Sequence, residues 1–231
     1  MLAIQNFQQR LYRHYPGGLS LPPTYRYLYG NPVQPVVPLG PEPRPVCLIG
    51  AYPPARLAAI GREVDVPVAD GDGPFAAAPY FDGRRVRQPA GAWLAERYLT
   101  PLGLSLEQCW LTYLVRLFLF KDEHLARYRR LGCPWPEFET HSRFSHLARQ
   151  GLAWLAEELA LVRPHLVITL GHEVAQVLQA EPGLAPDEAL LGGHLQDLWL
   201  DEAVYPALHL GHRPEAAHLA QARPVVGRLV G

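Results

Sequence analysis

Five short groups of residues carry side chains and turns from which a site can be built. They are Gly50-Ala51-Tyr52-Pro53-Pro54, Phe81 with Arg84 and Arg85 close behind, Tyr113, Gly171-His172, and His209 through Arg213. A histidine at a strand end can donate a hydrogen bond to charge developing on a departing group, and His209 stands in such a position. His212 and Arg213 precede a helix, whose first N–H groups favour anions such as phosphate; an ordinary helix start explains them as well. Arg84, Arg85 and Arg87 form the most basic local run, and a solvated loop accounts for it almost equally. Phe81 is read either as a packing aromatic or as a ring that stacks on a ligand.

Positioning these groups needs strands that end where they stand. Pro45-Val46-Cys47-Leu48-Ile49-Gly50 is a short apolar run closed by a glycine, a tyrosine and two prolines, which reads as a buried strand leading into a turn. Cys109-Trp110-Leu111-Thr112-Tyr113-Leu114-Val115, Leu166-Val167-Ile168-Thr169-Leu170 and Val204-Tyr205-Pro206-Ala207-Leu208-His209 read as three more strands. Pro206 predicts that the last of them is an edge or joins the sheet late. Helical spacing places Ile4, Phe7, Leu11 and Tyr15 on one face of an opening helix. Helices are also expected over Ala55–Gly61, Ala90–Leu99, Glu173–Leu178 and Pro214–Gln221, with one long helix capped by Ser142 and stopped by Pro164. Strands alternating with helices give a mainly parallel four-stranded sheet with helices on both faces, a three-layer α/β/α sandwich. In such sheets ligands gather outside the carboxyl ends of the strands, the edge where Gly50–Pro54, Tyr113, Gly171–His172 and His209–Arg213 should meet.

The flanking segments are of another kind. Residues 16–45 hold nine prolines, which exclude a long helix or a central strand. Tyr25, Tyr27 and Tyr29 make this segment an expected wrapping arm, so residues 1–44 are read as a helix plus arm and residues 45–231 as the α/β domain. Val64–Pro89 reads as one long loop, a form usually functional or mobile. Residues 121–141 are mixed and basic, and the Arg127, Arg129 and Arg130 cluster is read as a solvated surface.

Composition narrows the classes. With 48% hydrophobic and 19% charged residues among 231, the chain can bury a sizeable core and is not of the disordered type. No apolar run nears the roughly 20 residues that cross a bilayer, and the amino terminus lacks a signal-peptide pattern, so a cytoplasmic protein without a membrane partner is expected. Cys47, Cys109 and Cys133 are widely spaced with no CxxC. They read as buried free thiols, and no metal or cofactor is expected. The formal charge is −1, whereas DNA binders usually carry an excess of Lys and Arg; only Lys121 among the 21 basic residues is a lysine.

The order of these motifs resembles the uracil-DNA glycosylase superfamily, in particular its compact bacterial and archaeal branches but without their iron–sulfur cysteines. Gly50-Ala51-Tyr52-Pro53-Pro54 is similar to the family's first turn, Gly-x-x-Pro, which positions the attacking water. Pro79-Tyr80-Phe81-Asp82-Gly83 is similar to the motif whose aromatic stacks on the flipped base. Tyr113 stands where a base-reading asparagine would. Pro164-His165-Leu166-Val167-Ile168-Thr169-Leu170-Gly171 matches the Pro-x-x-apolar-Leu-Gly strand well. Ala207-Leu208-His209-Leu210-Gly211-His212-Arg213-Pro214 resembles the last motif, with Leu210 in place of the usual proline. The resemblance spans roughly residues 45–225.

It implies a DNA-binding protein that excises a damaged base by hydrolysis of the N-glycosidic bond. His209 and Tyr52 would be catalytic, Gly50, Ala51, Pro53, Phe81 and Tyr113 would bind the base, and His212, Arg213, Arg84 and Arg85 would contact DNA. Extruding a base from a duplex costs a few kcal/mol, and a carboxylate orienting the water contributes about 10²–10⁴ in rate. Neither Ala51 nor Tyr52 is a carboxylate, and nothing in the sequence places Asp70, Asp72 or Asp82 at the site. Tyr113 offers one hydroxyl where an amide offers a donor and an acceptor. Two other functions therefore stay open: a catalytically inactive module binding nucleic acid or protein, with Tyr52 and Tyr113 filling the pocket, and a hydrolase or transferase on a free nucleoside or other small ligand.

Overall fold

A computed structural model describes residues 2–18, 35–38, 40–53, 56–60, 64–68, 80–81, 86–87, 90–130, 139–178 and 193–231. Its strands are β1 (Val46–Gly50), β2 (Arg56–Ile60), β3 (Val64–Val68), β4 (Tyr80–Phe81), β5 (Val86–Arg87), β6 (Cys109–Tyr113), β7 (Leu166–Leu170), β8 (Leu195–Leu200) and β9 (Ala203–Leu210). Its helices are α1 (Leu2–Gly18), α2 (Ala90–Leu94), α3 (Thr100–Leu102), α4 (Asp122–Arg130), α5 (Phe144–Gln150), α6 (Leu152–Val162), α7 (His172–Leu178) and α8 (Ala216–Val230). A π-helical turn, Ala95–Leu99, joins α2 to α3.

The central sheet has five strands in the order β6-β1-β7-β9-β8. The first four run parallel, and β8 pairs antiparallel with β9. Four strands were expected, and β8 is the addition. Pro206 lies opposite Asp197 of β8, while pairing of β9 with β7 begins only at Ala207. The strand thus joins its parallel neighbour late, and β8 takes the edge. Leu195, Asp197 and Trp199 of β8 are exposed while Leu198 and Leu200 are buried, the alternation of a strand with one wet face.

Alternate residues of β1 feed two cores, because successive side chains of a strand point to opposite faces. Cys47 and Ile49 join Phe7 and Leu11 of α1, Phe144 of α5, Leu155 and Leu159 of α6 and Val174 of α7. Val46 and Leu48 join Leu94, Tyr98, Leu102, and Leu219 and Val226 of α8 on the other face. The chain is an α/β protein with helices on both faces of a mostly parallel sheet. The opening helix is part of this body. Ile4, Phe7, Leu11 and Tyr15 are all buried, and Phe7 and Tyr15 lie against Trp154 of α6 at ring distances of 6.0 and 6.4 Å. Tyr25, Tyr27 and Tyr29 of the expected arm are outside the described residues, but Val36 is buried and its N–H donates to the Arg116 carbonyl at 2.8 Å.

Three local expectations are corrected. The segment expected as a helix over Ala55–Gly61 contains β2, paired antiparallel with β3 from Arg56↔Val68 to Ile60↔Val64. The alternating valines Val64, Val66 and Val68 favour a strand, and a hairpin partner overrides the mild helical propensity of Leu57-Ala58-Ala59. The expected loop Val64–Pro89 accordingly carries β3 and the β4–β5 pair. The long helix is divided at Gly151, where a Cβ would stand 3.1 Å from the Leu114 carbonyl and 3.2 Å from the Tyr15 hydroxyl. Ser142 does not cap it. That residue lies in a 3-10 turn, His141–Arg143, with its hydroxyl 2.9 Å from that of Thr140.

One buried polar network braces the first core. Glu158 accepts from Trp110 Nε1 at 2.8 Å, Thr112 Oγ1 at 3.1 Å and Arg116 Nη2 at 2.5 Å. Arg116 Nη1 also donates to Thr112 Oγ1 at 2.7 Å, and the Arg116 N–H donates to the Tyr15 hydroxyl at 3.0 Å. Neither charged side chain is more than 1% exposed, so each depends on its partner to offset the loss of hydration. Cys47 and Cys109 are buried free thiols; burial raises both, Cys109 to about 12. Cys133 lies outside the described residues.

Candidate functional site at the carboxyl edge of the sheet

The parallel strands reverse their order of addition between β1 and β7, and open α/β sheets bind ligands beyond the carboxyl ends at such a switch point. Gly50-Ala51-Tyr52-Pro53 leaves the end of β1 there, Gly171-His172-Glu173 the end of β7, and Gly211-His212-Arg213 the end of neighbouring β9. Gly50 and Pro53 are buried, while Ala51 and Tyr52 are half-buried. The turn is fixed to β6 because the Gly50 and Ala51 carbonyls accept from the Leu114 and Val115 N–H groups at 2.8 and 2.9 Å.

Glu173, in the first turn of α7, meets His212 from the loop after β9. His212 Nε2 stands 3.0 and 3.2 Å from its two carboxylate oxygens. Burial alone would raise the carboxyl, but the His212 bond, its own N–H and the charges of His212 and His172 outweigh burial and lower it. His212 is raised in turn, chiefly by the hydrogen bond to Glu173. Glu173 is one-third exposed in this contact and His212 well exposed at 65%. Gly171 makes room for them. Its φ is +101°, and a Cβ there would fall 2.9 Å from His212 Cε1 and 3.0 Å from both Glu173 oxygens.

Tyr52 closes one side. Its ring meets His141 edge-on at 4.7 Å and Phe144 at 6.0 Å, and its hydroxyl lies 3.3 Å from His141 Nδ1. Burial, with a smaller contribution from the Glu173 charge, pushes the Tyr52 phenol up to about 12. His141 is lowered, first by burial and then by the Lys121 charge, against opposing effects of Glu173 and Asp122. Tyr52 and His141 are both neutral near pH 7.

The other side is set from the π-helical turn. Tyr98 directs its hydroxyl at the carbonyls of Gly211 and His212, 3.0 and 2.8 Å away. The bond fixes the loop that carries His212. Helical turns of this wide type recur at functional sites.

The sequence-expected residues divide in the structure. His209 is fully buried, with Nδ1 2.6 Å from Thr169 Oγ1 on the adjacent strand. Burial lowers the imidazole to about 4, so it is neutral at physiological pH. Tyr113 is paired in register with Gly50 and is 2% exposed. Arg213 is exposed beside His212. Of the expected base-stacking and DNA-contacting residues, Phe81 is described only as β4 backbone paired with Val86. Pro54, Arg84 and Arg85 lie outside the described residues, as do Asp70, Asp72 and Asp82.

Glu173, His141, Thr169 and Tyr98 were not singled out as site residues from sequence. A signal for Glu173 existed, since Gly171-His172-Glu173 directly follows an apolar strand in a mostly parallel sheet. Its meeting with a histidine 39 positions away had none. The cluster thus combines a carboxylate, its histidine partner and a neutral phenol–imidazole pair, groups that can hold a water or a polar ligand by hydrogen bonds. Among the described residues no cluster of His, Cys, Asp and Glu could hold a metal ion, and no helix is long and apolar enough to cross a membrane. No protein-family model and no curated protein matches the chain.

Proposed function

We propose that the chain is a divergent DNA glycosylase of the uracil-DNA glycosylase type, which binds DNA and hydrolyses the N-glycosidic bond of a damaged base. The observation that supports this reading is that three strand ends lie along one carboxyl edge of the sheet in the order the resemblance requires: Gly50–Pro53, Gly171 and His209–Arg213. Neutral His209 supports the leaving base as a hydrogen-bond donor when Thr169 donates to Nδ1, since Nε2 then carries the proton. The Gly50–Pro53 turn lines the water site with Tyr52. Arg213, exposed beside His212, would contact a phosphate.

The burial of His209 and Tyr113 favours a second reading, a closed module that binds nucleic acid without cleaving it. Binding to uracil-containing, abasic and undamaged oligonucleotides at low salt, followed by alkali cleavage, separates the two. Excision by the native chain and its loss in His209→Ala supports the glycosylase. Binding without cleavage supports the module, and no affinity for any oligonucleotide contradicts both.

A further inference from the structure

The turn after β1, where the resemblance places the water, lacks a carboxylate, and the fold brings one to the same crevice from the neighbouring strand. We propose that Glu173 is the catalytic carboxylate of this site, accepting a hydrogen bond from the attacking water and facing the sugar as it becomes cationic, and that His212 is its positioning residue. The inference rests on the glycosylase reading above.

The geometry supports the assignment at three points. Glu173 sits at the first turn after β7, beside the end of β1, and remains one-third exposed, so a water can reach it. His212 holds both oxygens at 3.0 and 3.2 Å, and Tyr98 holds the His212 carbonyl at 2.8 Å, which fixes the carboxylate from the β9 side. Gly171 leaves the space over the strand end that the pair occupies.

Cleavage of a glycosidic bond passes through an oxocarbenium-like sugar. The C1′–N bond breaks and its electron pair leaves on the base nitrogen. The water oxygen bonds C1′, and its proton passes to Glu173. The departed base takes a proton from solvent, and Glu173 returns its own to solvent. The sum is one water added across the bond. A carboxylate held ionised is suited to both tasks, as an acceptor for the water and an anion beside the cation.

The charged and titratable groups facing Glu173 are His212 after β9, Tyr52 after β1, His141 before α5 and His172 on its own helix. Single-turnover base release by the native chain, Glu173→Gln, Glu173→Asp and His212→Gln, measured from about pH 4 to 8 with DNA affinity in parallel, tests the proposal. Glu173→Gln should slow release by about 10²–10⁴ with affinity retained, in the range of general-base groups, and Glu173→Asp should recover part of the rate. His212→Gln should move the acid limb of the profile to higher pH, because the histidine charge that helps lower the carboxyl is gone even where the amide keeps a hydrogen bond. Release by Glu173→Gln within threefold of native overturns the carboxylate assignment and leaves the glycosylase reading standing. An unmoved acid limb in His212→Gln overturns the role of His212. No release by the native chain overturns the glycosylase reading, and the proposal with it.

Discussion

His209 joins the candidate chemistry to the core, and its burial predicts a definite pH response. Acidification is the perturbation. The ordinary imidazole value of 6.5 falls to about 4 in the folded chain through burial. The unfolded chain therefore binds this proton first, and stability falls as pH drops from 6.5 towards 4 and changes no further below that. At about 1.36 kcal/mol per pH unit the whole effect is roughly 3 kcal/mol, of which about 2 kcal/mol is lost between pH 6.5 and 5. His141 is lowered and adds a loss of the same sign, while His212 is raised and opposes it. A variant isolates His209 from both. Asparagine keeps a polar atom near the Nδ1 position that meets Thr169 and does not titrate. Urea unfolding of native chain and His209→Asn at about pH 7.5 and pH 5 is the assay. The native chain should lose about 2 kcal/mol more than the variant across that interval, or about 4–8 °C in Tm for a domain of this size. Equal losses in the two proteins would refute the buried, neutral histidine.

Further predictions follow from the same contacts. Glu158→Ala leaves the Arg116 charge and the Trp110 N–H buried without their acceptor, and should destabilise by about 3–5 kcal/mol in chemical unfolding; Arg116→Met/Glu158→Leu should recover most of that loss. Gly171→Ala introduces a side chain at φ +101° into the Glu173–His212 contact; a loss of about 1–2 kcal/mol is expected for the backbone conformation, with base release reduced further than stability alone explains. Tyr98→Phe removes the hydroxyl that meets the Gly211 and His212 carbonyls, at about 1 kcal/mol of stability, and should speed hydrogen exchange in the loop after β9.

The parts of the fold legible in the sequence were those with strong local periodicity. The stripe Ile4, Phe7, Leu11 and Tyr15 is buried as its spacing predicts, and the four apolar runs became β1, β6, β7 and β9. Where a segment's structure is decided by its partner, the local pattern misled. Arg56–Ile60 is alanine-rich but pairs with a valine strand, and β8, with Trp199 facing outwards, lacks the continuous apolar run of a buried strand. The site shows the same limit. Strand ends can be aligned on one edge from topology alone, so the ends of β1, β7 and β9 were placed side by side in the right order. Glu173 with His212, Tyr52 with His141, and Arg116 with Glu158 are side-chain meetings across 39, 89 and 42 positions. Distances of that kind are settled by packing and leave no trace in spacing.

The central claim is that this crevice releases a base by hydrolysis. The most direct measurement is mass-spectrometric detection of free base after incubating the native chain with a duplex containing a single uracil, beside an undamaged duplex of the same sequence. The account predicts free uracil and a matching abasic strand from the first duplex alone, with release abolished in His209→Ala. Intact substrate after many hours with the folded native chain, under conditions where it binds the duplex, would contradict it.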